Sequence, residues 1–234
     1  MFRNLRTSTK LLLLCGVFVG ALAVATYGLV AEKQIAIHFV RKELVGVQHL
    51  ERLREVYAAL LKQNLAAPPG AGGGAARAEL DRLAAAHGAD SEQLDTEALE
   101  RALGAAIDTL VSATDSGKRQ SSFVAALDAA RNLAARIGDD SNLTLDPDLD
   151  SYYVQNIVVA RMPALLTDVG ELKAELDLPP AQAPPETLAV LRLVLDGSIR
   201  STFEGIESDL QASYRGANGA RLRQKLQPDL DAMG

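Results

Sequence analysis

A chain of 234 residues, 48% apolar but only 4% aromatic and without tryptophan, is long enough for one helical domain plus an anchor and poorly supplied for an aromatic-lined catalytic pocket. Its formal charge of −6 is unevenly placed: Arg3, Arg6 and Lys10 stand at the N-terminus with no acid among them, and the remaining 21 basic residues face 30 acids, a net of −9. Arg52, Arg54, Arg131, Arg136, Arg221 and Arg223 are scattered or interleaved with acids, which argues against nucleic acid as a partner because phosphate binding needs a clustered basic face.

The first predicted element is a membrane helix. Leu11 to Val30 is twenty residues without a charge, about 30 Å as a helix and so matched to a bilayer core. Cations precede it, while Glu32 and Lys33 follow, so the positive-inside rule puts residues 1–10 in the cytoplasm, residues 11–31 in the membrane and residues 32–234 outside the cytoplasm. Ala21-Leu22-Ala23 and Ala23-Val24-Ala25 resemble signal-peptide cleavage sites, but the apolar run continues through Tyr27, Leu29 and Val30. Cys15, the single cysteine, excludes a disulfide within the chain. It follows Leu13 and Leu14 rather than a small residue, which disfavours a lipid anchor there.

Ile37, Val40, Leu44, Val47, Leu50, Leu53, Tyr57 and Leu60 recur at three or four and predict that the same helix continues to about Leu65. Pro68 to Gly74 reads as a flexible turn. Helices are then expected from Ala75 to His87, stopped by Gly88, from Glu92 to Ala113 and from Gly117 to Ile137. The polar stretch Gly138 to Asn142 precedes a helix over Pro147 to Leu176 that Pro163 should kink. Turns at Pro179-Pro180 and Pro184-Pro185 lead to Glu186–Tyr214 and to a last run from Ala220 to Leu226 or beyond. The predicted class is all-α, a transmembrane helix continuing into an antiparallel helical bundle, with no second stretch long enough to span.

Candidate chemistry gathers around residues 142–161. Asp146 before Pro147 is a strong helix start, with Asp148 and Asp150 favouring the positive end of the helix dipole. Their alternate spacing also begins a calcium loop, but Ser151 stands where that loop needs Gly and Ile157 where it needs Glu, so no metal or other cofactor is expected. Tyr153, Ile157, Ala160 and Ala164 share one α-helical face, so Tyr153 and Asn156 are expected to point into the bundle as satisfied core groups or as ligand contacts. Arg161 offers a planar fork for an anion or carboxylate, or a surface ion pair. Asn142, Tyr152, Tyr153, Asn156 and Arg161 are therefore the candidate ligand-binding residues. His38 and His49, eleven positions apart on one helix, cannot share a metal, and His87 suits a helix C-terminus. No nucleophile elbow or phosphate-binding glycine loop points to an enzyme.

The run Ser141-Asn142-Leu143-Thr144-Leu145-Asp146-Pro147-Asp148-Leu149-Asp150-Ser151-Tyr152-Tyr153, completed by Arg161-Met162-Pro163, resembles the sensory regions of bacterial methyl-accepting chemotaxis receptors, sensor histidine kinases and diguanylate cyclases. Lys42-Glu43-Leu44-Val45-Gly46-Val47 is similar to the pattern just outside their first membrane helix, and Asn218 to Leu230 is a weaker third match. The resemblance implies a helical extracytoplasmic sensor, usually dimeric, in the inner membrane, flanked by two membrane helices and followed by a cytoplasmic output module. Here the second span, phosphoacceptor, cyclase motif and methylation helices are not found, so the chain reads as an N-terminal receptor fragment ending within the sensor. The expected partners are the membrane, a second copy, and an unknown small molecule or periplasmic protein. A membrane-tethered assembly scaffold is the alternative. Polar groups of the 142–161 region converging on a cavity would favour the sensor, and an apolar interior with a wide exposed stripe the scaffold.

Overall fold

A computed structural model describes residues 6–66, 73–90, 94–145, 148–176 and 187–233. The described residues are helical, with no strand among them. The helices are α1 (Thr7–Ala66), α2 (Gly73–Asp90), α3 (Glu97–Ser112), α4 (Ser116–Asp140), α5 (Leu149–Asn156), α6 (Met162–Leu176), α7 (Thr187–Leu193), α8 (Arg200–Ser213) and α9 (Gly219–Met233). A short 3₁₀ turn occupies Leu143–Leu145, and π-helical segments at Ile157–Arg161 and Val194–Ile199 join α5 to α6 and α7 to α8. By contacts the chain divides into residues 1–42 and residues 43–234.

In the first unit, α1 bonds its own backbone and leaves its apolar side chains outside: Leu12, Phe18, Val24 and Tyr27 are each more than two-thirds exposed. This is the one helix, among the described residues, long and apolar enough to cross a membrane.

The second unit has a core built at helical spacing. Leu53, Val56, Tyr57 and Leu60 of α1, Leu80 and Leu83 of α2, Leu103, Ile107 and Leu110 of α3, and Phe123, Leu127, Ala130, Leu133 and Ile137 of α4 form one buried cluster. Burying each such leucine stabilises the fold by about 1.5–3 kcal/mol. Leu103, Ile107 and Leu110, at positions i, i+4 and i+7, put one stripe of α3 against α4, the most extensive helix pair. Asp115 starts α4 by accepting the Lys118 N–H at 2.9 Å. Arg77 of α2 reaches Asp108 of α3 at 2.6 Å.

Where a kink at Pro163 is expected, the helix carries a π segment that ends two residues before the proline. Proline brings no N–H, and its ring crowds the carbonyl four positions back, so an α-helix running straight through loses a bond and strains. The chain instead widens by one residue: the Met162 N–H bonds the Ile157 carbonyl, five positions back.

Several boundaries differ from expectation. α2 runs through Gly88 to Asp90, because an interior glycine costs only about 1 kcal/mol and does not by itself stop a helix. Gly73 and Gly74, read as part of a flexible turn, open α2, while Pro68 to Gly72 lie outside the described residues. α3 begins at Glu97 rather than Glu92, with Thr96 at its cap position. α4 continues through Gly138 to Asp140, so the polar break shrinks to Ser141 and Asn142. The prolines at 179, 180, 184 and 185 are also outside the described residues.

Candidate functional site

The π segment changes which residues share a face. Five positions along an α-helix rotate a side chain by about 140°, whereas an i→i+5 turn brings residues five apart nearly into line. Asn156 and Arg161, which flank this turn, therefore reach the same group: the Asn156 Nδ2 and the Arg161 Nε each donate to Oδ2 of Asp209 on α8, both at 2.7 Å. The Asp209 side chain is 8% exposed, so this carboxylate is held by donors rather than water. Gly205, one turn before Asp209, makes the close approach possible, since a Cβ there would run into the Arg161 guanidinium. Two expected ligand contacts are thus committed to a tie between helical runs more than forty residues apart.

Of the residues expected to share a face, Tyr153, Ile157 and Ala164 are half-buried, and Ala160, inside the π segment, is exposed because the wider turn shifts the α-helical register there. The Tyr152 and Tyr153 rings, 5.2 Å apart, meet edge to face, with Tyr152 on the exposed side. Asn142 ends α4 with φ of 62°, in the left-handed region that asparagine tolerates, and its N–H bonds the Asp139 carbonyl at 3.3 Å.

Of the three acids at the start of this segment, Asp146 lies outside the described residues. Asp148 holds the cap position of α5 without a side-chain capping bond, and its carbonyl accepts the Tyr152 N–H at 2.8 Å. Asp150 is buried and accepts the backbone N–H of Asn218, between α8 and α9, at 2.9 Å. That N–H, and then the Asn218 side chain, hold the Asp150 carboxyl below its ordinary pKa, with burial acting the other way. Gly46 of α1 lies so close to Ser141 that a Cβ would run into that side chain, with Leu143 also in contact.

A second charged group sits between α4, α6 and α8. Burial raises the pKa of Asp168, opposed by Arg131 and by a hydrogen bond with Thr202. Burial raises that of Glu171 as well, reinforced by Asp128 and Asp168 and opposed by Arg131. Beside them Tyr57 of α1 is buried, its hydroxyl has no hydrogen-bond partner among the described residues, and burial pushes its pKa up.

Two hollows adjoin these groups. One, of about 460 Å³ and mostly apolar, lies between α1 and the π segment, walled by Val47, Leu50, Tyr57, Val158, Val159 and Pro163. The other, of about 410 Å³, is more polar and more open than the first, with Asp148, Asp150, Asn218, Arg221 and Lys225 on its walls. The polar groups singled out in the sequence do not converge on the first: Asn156 and Arg161 turn to Asp209, and Val154 and Gln155, just before Asn156 in sequence, line the cavity instead.

Asp209, Gly205 and Asn218 are the residues that sequence reasoning missed, whereas Tyr57 was read only as a member of a helical stripe. Of the three, Asn218 alone carried a signal, as the first residue of the third resembling stretch. Asp209 lies in an exposed-looking Glu207-Ser208-Asp209 run, and nothing local marks it as buried.

No protein-family model matches the chain, and no curated protein or solved structure does so either.

Proposed function

We propose that this chain is the membrane-anchored sensory module of a bacterial signalling receptor. In this reading α1 crosses the inner membrane with residues 1–10 in the cytoplasm, and residues 32–234 form an antiparallel bundle on the extracytoplasmic side. Two copies pair, and a small molecule or periplasmic protein biases the packing of the bundle. The module has no chemistry of its own; an output module responds to it.

The observation that supports this most is that the three stretches resembling receptor sensors meet in space. Gly46 of the first is seated against Ser141 and Leu143 of the second, and Asp150 of the second holds Asn218 of the third. Stretches about seventy to a hundred residues apart that share one packing arrangement are what a common fold requires, and this one follows directly on a helix apolar enough to span a bilayer. The π segment offers a place for the response, since a turn that departs from α-helical bonding can repack with little loss of burial.

Reporter fusions placed after residue 66 test the anchor. Activity only outside the cytoplasm, in cells whose protein keeps its first thirty residues, is the expected result. A reporter active in the cytoplasm, or a mature chain beginning near Ala25, would overturn the reading. The scaffold alternative is favoured by two observations: the polar groups of residues 142–161 do not converge on the apolar cavity, and Leu149, Tyr152, Val158, Met162 and Val169 are exposed along one run of helix. It predicts concentration-dependent assembly that no small molecule alters.

A further inference from the structure

We propose that the hollow between α5 and α9 is a binding site for a small zwitterion, an ammonium and a carboxylate borne on a short apolar body. This rests on the sensory reading above and names the class of ligand it would take.

At about 410 Å³ the hollow falls within the range of small-molecule sites, which run from about 300 to 1,000 Å³. Its charges are sorted by helix. Asp148 and Asp150 come from the start of α5, and Arg221 and Lys225, four apart and so on one face, come from α9. Elsewhere arginines within reach of a carboxylate close on it, as Arg77 does on Asp108 at 2.6 Å and Arg136 on Asp140 at 2.7 Å. At this hollow neither Arg221 nor Lys225 comes within 4.0 Å of a carboxylate oxygen among the described residues. The walls are joined instead through the backbone: Asp150 accepts the Asn218 N–H at 2.9 Å, and Gly216 fits so tightly against Asp150 that a Cβ would run into it. The two walls are therefore placed before any ligand enters, which lowers the cost of binding.

A carboxylate beside Arg221 and Lys225 gains two charge-assisted donors, and an ammonium at the α5 wall gains the Asp148 carboxylate and the Ser151 hydroxyl oxygen as acceptors. The Asn218 N–H holds the Asp150 carboxyl below its ordinary pKa, which keeps the α5 wall negative. An anion or a cation alone meets one wall that attracts it and one that repels it, so the charges select a ligand that carries both. Val154 and Leu222, the apolar residues of the hollow, set the apolar body. Since α5 runs directly into the π segment, a ligand that holds α5 to α9 favours one packing of that turn over another.

The test is isothermal titration calorimetry on the full chain in lipid nanodiscs. The probes are L-leucine, isocaproate, which is the same body without the ammonium, and isoamylamine, which lacks the carboxylate. Leucine should give a saturable heat below about 1 mM, and each half-ligand should bind at least about tenfold more weakly. Arg221→Gln and Lys225→Gln should each weaken leucine binding about tenfold or more, whereas Arg223→Gln, which removes the same charge from the same helix away from the hollow, should change it less than about twofold. Asp148→Asn, which keeps a side chain suited to the cap position of α5, should erase the preference for leucine over isocaproate. All four positions are exposed, so these variants should keep the helicity of the parent by circular dichroism. No saturable heat from leucine up to about 1 mM, equal binding of leucine and isocaproate, or equal losses in Arg221→Gln and Arg223→Gln would overturn the proposal. The reporter fusions keep the two readings separable: correct topology without leucine binding removes the zwitterion site alone, whereas inverted topology removes the sensory reading whatever the calorimetry gives.

Discussion

In α3 and α4 the residues sealed from solvent are mostly apolar, among them Leu103, Ile107, Leu110, Phe123, Leu127, Leu133 and Ile137, with Glu100 and Arg119 as the charged exceptions. From α5 to α8 they include Val159 and Ala212, but also Asp150, Thr167, Asp209 and Ser213. The first region is held by apolar area, which is non-directional and lost gradually as helices slide. The second is held by a few directed bonds, Asp150 to Asn218 and Asp209 to Asn156 and Arg161, which are either made or broken. Under the sensory reading proposed above, the directed bonds are where a change of packing is expected, because bonds that are made or broken give discrete states.

The contrast is broken most severely by cutting into the apolar half. Leu103→Ala should destabilise by about 2–5 kcal/mol, measured by thermal melting of the full chain, because a fully buried side chain leaves a cavity its neighbours do not fill. In the polar half, Asp209→Ala removes the shared acceptor of Asn156 and Arg161 and should cost about 1.5–3 kcal/mol, the scale of hydrogen bonds to a charged group. Its signature differs: hydrogen exchange should quicken in residues 149–162 and 200–213 while α3 and α4 keep their protection.

Titration sharpens the comparison further, and the two signs are opposite. Asp150 has its folded pKa below the ordinary value, so its ionised form stabilises the fold. That contribution is present above the unfolded pKa of about 4 and is lost as pH falls through the lower folded value. Asp150→Asn should therefore destabilise at pH 7, with the difference closing only in strong acid. Glu171 has its folded pKa raised, so its contribution is present below the unfolded value and lost as pH rises through the folded one. Glu171→Gln should stabilise at pH 7, by less than about 1 kcal/mol given its partial exposure, and be neutral in acid. The smallest effect belongs to Tyr57→Phe, near zero or slightly stabilising, since the hydroxyl removed has no partner to lose.

The two halves were unequally legible in the sequence. The apolar half is written in its spacing: Leu53, Tyr57 and Leu60, or Leu103, Ile107 and Leu110, announce a buried stripe without knowledge of what it meets. The charge-free run from Leu11 to Val30 announces a long apolar helix in the same way, and α1 follows from it. The polar half depends on pairings that no local pattern contains. Asn156 and Arg161 are five apart and read as lying on different faces until the π turn aligns them, and their acceptor is 53 residues from Asn156. Pro163 signalled a disturbance, but not that the helix would absorb it by widening rather than by breaking. Asp150 was read as a helix-start acid, and only the structure shows its carboxylate spent on Asn218.

The difference between the halves is tested most directly by residue-resolved hydrogen exchange on the full chain in nanodiscs. Amides of Leu103 to Leu110 and Phe123 to Ile137 should be the slowest, while those of Val158 to Arg161 and Phe203 to Ser213 should open at substantially lower free energy. Uniform protection across both regions, or exchange slower in the π segment than in α3 and α4, would contradict the account.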